Sequence, residues 1–284
     1  MNSGDTLRPA LTEFRRGAIV EFTGAPGSGK TTLATHALAR TKERGISVVE
    51  GREILPIYLK TGPMAWFVRN LLPFTSFDHR RLRFHQQIEH PLLLPRFAAR
   101  HPRGWRIFRA ELERIRAEEP EEQVRIERWV ERGIHRFVMA RARSSQLDLV
   151  LCDEGIAHRS ITLFVSSRPQ LDLVRLRSFL GSWALPDMLV HVRASLERCA
   201  ERAWSRGVPK RLEGEGDDEL REFLGACATV SAEIAQEARR RGLPVLEIEN
   251  EYSSPEDLLE SPQCAALLEN LLPERARGVT RRGA

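Results

Sequence analysis

Apolar residues along this chain fall into short runs and helical stripes. RGAIVEFTG (16–24) is a short run with β-branched side chains and reads as a strand. The stretch TTLATHALARTKERG then reads as a helix. Leu33, Ala34, Ala37 and Leu38 share one face, and Gly45 stands where a C-terminal cap is expected. ISVVE (46–50) is a second strand. From residue 54 to about 145 the pattern is mostly helical, cut by Pro73, Pro91, Pro95, Pro102 and Pro120. Within it Ile107, Leu112 and Ile115 are expected inward, and Arg109, Glu113 and Arg116 outward. QLDLVLCDEG (146–155) is a third strand, nearly continuous in apolar residues, as suits a strand buried on both faces. LPDMLVHVRAS (185–195) and GLPVLEIEN (242–250) are a fourth and a fifth. In SSPEDLLESPQCAALLENLL, Ser254 caps a helix and Pro255 takes its first turn. Leu258, Leu259, Ala265 and Leu268 are expected inward, with Pro262 interrupting. Strands separated by helical stretches predict an α/β fold with a parallel sheet and right-handed crossovers. The expectation is a single domain over 1–284, with a large helical insertion at about 54–145 and a frayed tail at 273–284.

The first strand runs directly into Gly24-Ala25-Pro26-Gly27-Ser28-Gly29-Lys30-Thr31, followed by Thr32. This is the G-x-x-x-x-G-K-[ST] phosphate-binding pattern in the strand–loop–helix context it requires. The glycines let successive backbone N–H groups turn inward, and the helix N-terminus adds partial positive charge. Lys30 is expected to reach the β- and γ-phosphates, and the Thr31 hydroxyl to bind Mg²⁺. The whole run from Gly24 to Thr32 is therefore the expected nucleotide-binding stretch, for ATP or GTP.

Composition adds little to this and excludes several classes. Hydrophobic residues make up 42% of the 284 and charged residues 29%, enough for a sizeable core. No run of about 18 apolar residues occurs, so no membrane span is expected, and MNSGDTLRPALTEFRR has no signal-peptide pattern. Cys152, Cys199, Cys227 and Cys264 are far apart and read as reduced thiols of a cytoplasmic protein, neither a disulfide framework nor a zinc site. The net charge of +5 suits phosphorylated small molecules. Lysine occurs only at Lys30, Lys42, Lys60 and Lys210, and one of these sits inside the loop motif. No basic run is dense enough to call for nucleic acid. A homodimer is compatible with the sequence.

Two further stretches carry candidate chemistry. Asp153 ends the third strand, where a carboxylate would hold Mg²⁺ directly or through water. Glu154 follows it. Such a carboxylate can orient a water for hydrolysis, or meet an acceptor hydroxyl or an arginine in phosphotransfer. His158, Arg159 and Ser160 come next, with His158 expected on a helix surface. In SLERCAERAWSRGVPKR (195–211), Arg198, Arg202 and Arg206 are spaced by four and share one helical face, with Arg211 after a Gly-Val-Pro break. They read as a lid closing over the phosphates. The alternative is a solvated face laced with ion pairs through Glu197 and Glu201. In the insertion, Trp66, Trp105 and Trp129 are expected in the core. Its arginines, among them Arg80, Arg81, Arg83, Arg96, Arg100, Arg103, Arg106 and Arg109, would suit an acidic acceptor or a solvated surface equally well.

GAPGSGKTT, VVEGREILP, VLCDEGIAHRS, PDMLVHVRASLERCAERAWSRG and LPVLEIENEYSSPED together resemble the thymidylate-kinase-like branch of P-loop nucleoside and nucleotide kinases, over about two-thirds of the chain. The resemblance implies a three-layer αβα sandwich whose five-stranded parallel sheet has the order 2-3-1-4-5. It implies ATP between the loop and the lid, the residues of the last loop beside the adenine, and an acceptor above the second and third strands. Arg52-Glu53 aligns with an Arg-Glu pair that touches the acceptor or its metal. Where those kinases carry Asp-Arg at the third strand, this chain has Asp153-Glu154, and its insertion is much longer, so thymidylate is not the expected acceptor.

The resulting expectation is a Mg²⁺-dependent kinase acting on a nucleoside triphosphate and a small-molecule acceptor. Lys30 holds the phosphates, and Thr31 and Asp153 organise the metal. Arg202 and Arg206, with Arg198 and Arg211, clamp the moving phosphoryl group, and Glu53 or Glu154 positions the acceptor. The alternatives are an ATPase that uses Asp153-Glu154 as its Walker B pair, and a nucleotide-binding module that contacts nucleic acid through the basic insertion.

Overall fold

The computed structural model describes residues 17–54, 93–142, 146–165, 171–208, 212, 214 and 216–271. Five strands, β1 (Ala18–Thr23), β2 (Val48–Glu50), β3 (Leu149–Cys152), β4 (Met188–Arg193) and β5 (Val245–Glu249), pair in parallel in the order β2-β3-β1-β4-β5. Ala18 lies opposite Leu149 on one side of β1, and Val20 lies opposite Met188 on the other. β1 is thus central, and buried throughout.

Side chains alternate across a strand, so β1 faces two different environments. Ala18, Val20 and Phe22 pack against Leu33 and Ala37 of α1 (Lys30–Glu43) and Leu267 of the C-terminal helix α9 (Pro262–Leu271). Ile19, Glu21 and Thr23 take the opposite face, where Ile19 packs with Val150, Ile54 and Met139. That side is covered by α2 (Pro102–Glu118), α3 (Pro120–Ala142), α4 (Arg159–Phe164), α5 (Leu173–Leu180), α6 (Leu196–Arg206) and α7 (Asp217–Arg240). The result is the expected three-layer sandwich, with helices on both faces of the sheet.

The insertion between β2 and β3 is helical where it is described. Residues 93–100 form a helix, and α2 and α3 form an antiparallel hairpin turning at Glu119-Pro120. Phe108, Leu112 and Ile115 of α2 meet Ile126, Val130 and Ile134 of α3 in the main core. Each such side chain contributes about 1.5–3 kcal/mol by leaving water. Ile107 is only partly buried. The deeper position is Glu111, whose carboxylate bonds Arg114 at 3.0 Å and pairs with Arg175 of α5. A buried charge persists because it is paired.

Helix ends follow the local rules. Ser195 caps α6 and Asp172 caps α5. Ser254 caps α8 (Pro255–Leu259), with Pro255 in its first turn. Pro262 opens a separate helix, capped by the Ser261 hydroxyl, which accepts from the Cys264 N–H at 3.1 Å. This new start changes the helical phase, so Cys264 and Leu267 are buried and Ala265, expected inward, is exposed. Helices α5 and α7 lie outside the elements that the apolar runs picked out. α7 nevertheless shows helical spacing at Leu220, Phe223, Leu224, Cys227, Val230 and Ile234. Among the described residues no helix is long and apolar enough to cross a membrane, and the four cysteines are buried and form no disulfide. Arg211, Trp66, Arg80, Arg81, Arg83, Lys60, Lys210 and the tail 273–284 lie outside the described residues.

Candidate functional site

The loop after β1 winds tightly around its glycines. Gly27 and Gly29 have φ of 84° and 95°, a region L side chains rarely adopt. Neither has room for a methyl group. A Cβ on Gly27 would stand 2.5 Å from the Cys199 carbonyl oxygen, and one on Gly29 would stand 2.2 Å from the Asn250 amide nitrogen. The loop is therefore pressed between α6 and the segment after β5. Its outer carbonyls are gripped. Asn250 donates to the Ser28 carbonyl at 2.7 Å, and Arg202 donates to the Gly27 carbonyl at 3.0 Å. Arg202 also bonds the carbonyls of Asn250 and Tyr252. Within the loop the Ser28 N–H donates to the Ala25 carbonyl at 3.1 Å.

Lys30 is buried at the first turn of α1, its ammonium 4.0 Å from the Glu154 carboxylate. Thr31 donates its hydroxyl to Asp153 Oδ2 at 2.9 Å. The second carboxylate oxygen, Asp153 Oδ1, is buried with no hydrogen-bond partner among the described residues. Burial pushes the Asp153 carboxyl up, against the Thr31 hydroxyl and the Lys30 charge. The Thr31 hydroxyl and the Asp153 carboxylate with its orphaned Oδ1 form, beside this loop, an oxygen donor set that fits Mg²⁺, which keeps waters and takes few protein ligands. Among the described residues no group of three or more His, Cys, Asp or Glu is placed to hold a metal ion.

Glu154 sits 3.3 Å from Arg159 and 3.7 Å from the imidazole of His158. Burial alone would raise its carboxyl; the positive groups around it win and hold it below the usual carboxylate range. His158 itself is pushed down to about 3, first by burial and then by Lys30, so it is neutral near pH 7 and Arg159 and Lys30 carry the effect. His158 was expected on a helix surface. It is 5% exposed and lies beneath the loop, 3.3 Å from the Thr23 hydroxyl. The turn Cys152–Gly155 brings the chain back under β1, which places the imidazole inside.

One residue of this site has no place in the sequence reading. Glu21 is 1% exposed, in the middle of β1, and accepts the backbone N–H groups of His158 at 2.6 Å and Ala157 at 3.2 Å. Desolvation raises its carboxyl to about 7, although those N–H groups oppose the shift. Glu21 fastens the turn that carries Asp153 and Glu154 to the central strand. The available signal was a carboxylate inside an otherwise apolar strand.

Beside Asp153 and Glu154 opens a cavity of about 230 Å³. Its floor is Ile19, Glu21, Cys152 and Gly155; Glu50, Gly51 and Arg52 form one side, and Trp129, Arg132, Arg136 and Phe137 of α3 form the other. This lies above the second and third strands, where the resemblance put an acceptor. Trp129, expected in the core, lines this cavity, and the guanidinium of Arg125 stacks over its ring at 5.1 Å. Arg52 pairs with Glu50 at the cavity's edge. Glu53 is not brought there. It faces α1, with its carboxylate 3.8 Å from Lys42.

The three arginines of α6 have separate partners. Arg202 is occupied by the loop carbonyls described above. Arg198 pairs with Glu201 at 3.0 Å and bonds the Ser253 hydroxyl, while Arg206 is exposed and bonds only the Arg202 carbonyl among the described residues. Both the ion-paired face and the position beside the loop are thus present in one helix.

No protein-family model matches the sequence, and no curated protein matches it. Similar solved structures include the deoxyadenosine kinase of M. mycoides with the products dCMP and dCDP bound, at 12% identity over 89% of this chain and 98% of that one, with a TM-score of 0.40. The shikimate kinase of Acinetobacter baumannii in complex with shikimate is similar at 16% identity over 94% of this chain and 96% of that one, with a TM-score of 0.38. The strand order β2-β3-β1-β4-β5 and the glycine-rich loop between β1 and α1 are those expected above for the three-layer αβα sandwich.

Proposed function

We propose that this chain is a phosphotransferase moving the γ-phosphoryl group of ATP or GTP to a small-molecule acceptor held in the cavity above β2 and β3. One observation carries the reading: the phosphate cradle and the cavity share a wall made of Asp153 and Glu154. A triphosphate on the loop amides and Lys30 would end beside those two carboxylates, and an acceptor in the cavity would meet them from the other side. A magnesium ion between Thr31 and Asp153 would neutralise charge on the terminal phosphates.

The chain's own groups supply position and charge. Lys30 is poised at the terminal phosphates. The ionised Glu154 accepts a hydrogen bond from the acceptor hydroxyl and takes its proton as the new P–O bond forms and the bond to the departing diphosphate breaks. Arg159 and Lys30 hold that carboxylate in place. Arg206 and Arg198 supply the lid, with Arg211 beyond them. Arg202 serves by holding the loop rather than by touching phosphate. Glu154 fits the acceptor role better than Glu53 because it lines the cavity. All of these groups belong to one P-loop unit that carries the helical insertion.

The second reading is hydrolysis, with Glu154 orienting a water, and the Asp153-Glu154 pair favours it. ADP release measured with and without a panel of hydroxylated metabolites decides between the two. Phosphotransfer predicts ADP release that depends on one acceptor. It also predicts that Lys30→Ala weakens MgATP binding at least about tenfold by calorimetry, since one charge-assisted contact of about 1.5–3 kcal/mol is lost. Steady acceptor-independent hydrolysis abolished by Glu154→Gln would establish the ATPase. Unchanged MgATP affinity in Lys30→Ala would remove both readings.

A further inference from the structure

We infer that the acceptor is an anion: a small hydroxylated molecule carrying a phosphate, sulfate or carboxylate group that binds Arg136 and Arg132 of α3. This rests on the phosphotransfer reading for the hydroxyl end, and on the charge balance of the cavity for the anionic end.

The balance is uneven. Each acidic group of the cavity already has a partner, Asp153 through one of its two oxygens only. Glu50 pairs with Arg52, Glu154 with Arg159 and Lys30, Asp153 with the Thr31 hydroxyl, and Glu21 with two backbone N–H groups. Arg132 and Arg136 line the same space, and among the described residues neither has a carboxylate partner. Burial lowers the Arg136 pKa, and Arg159, Arg52 and Arg132 lower it further. Only Cys152 acts the other way, and as a thiolate only; burial pushes its thiol far up, so it supplies no charge near neutral pH. Arg159, though paired through one nitrogen, leaves its Nε–H buried without a hydrogen-bond partner.

A half-buried guanidinium surrounded by like charge is costly unless an anion completes it. The planar fork of arginine matches phosphate and carboxylate oxygens. Arg132 and Arg136 are one helical turn apart on α3, so both reach one ligand, and Trp129, a further turn back, offers that ligand an apolar wall. The opposite side of the cavity holds Asp153 and Glu154, which suits the hydroxyl that would be phosphorylated. The molecule would thus lie across the cavity with its anionic group on α3.

The test is a matched pair of probes on the full-length protein. Glycerol 3-phosphate and glycerol carry the same hydroxyl chemistry and differ in the anionic group. Each is titrated by calorimetry and by ¹⁵N arginine side-chain NMR into protein saturated with Mg²⁺ and AMP-PNP, and again into Lys30→Ala without nucleotide. The expected result is that glycerol 3-phosphate binds in both conditions and shifts arginine Nε resonances while glycerol does neither. Arg136→Gln should weaken its binding at least about tenfold, whereas Arg136→Lys should retain part of it. AMP-PNP affinity should stay within about twofold of the parent in both variants, with circular dichroism unchanged. Equal binding of the two probes, no binding of glycerol 3-phosphate, or anion binding indifferent to Arg136→Gln overturns the inference. Failure of AMP-PNP to bind would refute the phosphotransfer reading instead, and the Lys30→Ala titration would still decide whether the anion site exists.

Discussion

Gly155 has no space for a methyl group, and the reason lies 134 residues earlier, in β1. A Cβ at Gly155 would stand 2.4 Å from Glu21 Oε2, 2.5 Å from its Cδ and 2.9 Å from its Cγ. Ordinary contact begins near 3.4 Å, so the carboxylate would have to move by about 1 Å. It cannot swing away freely: Glu21 is 1% exposed on the central strand and held by the N–H groups of Ala157 and His158. Gly155 is not among the positive-φ glycines, so Gly155→Ala introduces a side-chain collision without a backbone penalty. Overpacking of this kind costs about 1–3 kcal/mol. Weakening the bonds to Glu21 adds to that, and the lower entropy of the unfolded Ala chain offsets about 0.4–1 kcal/mol. The expected loss is about 2 kcal/mol, seen as a lower urea midpoint at unchanged slope. Because the displaced turn carries Asp153 and Glu154, MgATP affinity should fall as well. A double-mutant cycle with Glu21→Ala isolates the collision. With the carboxylate removed, Gly155→Ala should have almost no further effect, giving a coupling of about 2 kcal/mol. Additive losses, or a Gly155→Ala protein with parental stability, would refute the packing argument.

Arg202→Ala should destabilise by about 2 kcal/mol, because a charged donor to the carbonyls of Gly27, Asn250 and Tyr252 is lost. Arg202→Lys should fail to restore it, since an ammonium cannot span those acceptors as a guanidinium fork does; chemical denaturation of the two variants checks both statements, and MgATP affinity should fall alongside. His158 is held near 3 in the folded protein against an ordinary 6.5, so in that window the unfolded chain binds a proton that the folded chain does not. Stability is therefore full above pH 6.5 and is lost as pH falls toward 3, by up to about 1.4 kcal/mol per pH unit. The difference in stability between wild type and His158→Asn, followed across pH 3–8, should show this slope, while Glu21, present in both proteins, cancels. A difference that stays constant across that range would contradict the burial of a neutral imidazole.

The sequence by itself determined what neighbouring residues decide among themselves. The strand–loop–helix around Lys30 is contiguous, and its glycines, lysine and threonine act through backbone geometry spanning a few residues. Five strands, the parallel sheet, the Ser254 cap and the carboxylate at the end of β3 follow from local apolar patterning and cap chemistry, and all are present. Where a local signal was ambiguous, tertiary packing settled it. His158 turned inward because the turn after β3 folds beneath β1, and Ala265 turned outward because Pro262 restarts the helix. The arginines of α6 share a face in sequence, yet among the described residues Arg202 alone meets the back of the loop after β1, through carbonyls 175 and about 50 residues away.

The cavity is wholly a product of tertiary structure. Glu21 comes from β1, Glu50 and Arg52 from the end of β2, Trp129, Arg132 and Arg136 from α3, and Asp153, Glu154 and Arg159 from the turn after β3 and the start of α4. Helical spacing places the three α3 residues on one stripe, but spacing does not say which stripe faces the sheet. That choice is made by the neighbouring stripe, where Ile126, Val130 and Ile134 bury themselves against α2 and the core. Periodicity along a chain records a burial preference, whereas the joining of four distant segments around one space is decided by the packing of apolar surfaces that meet only in the folded protein.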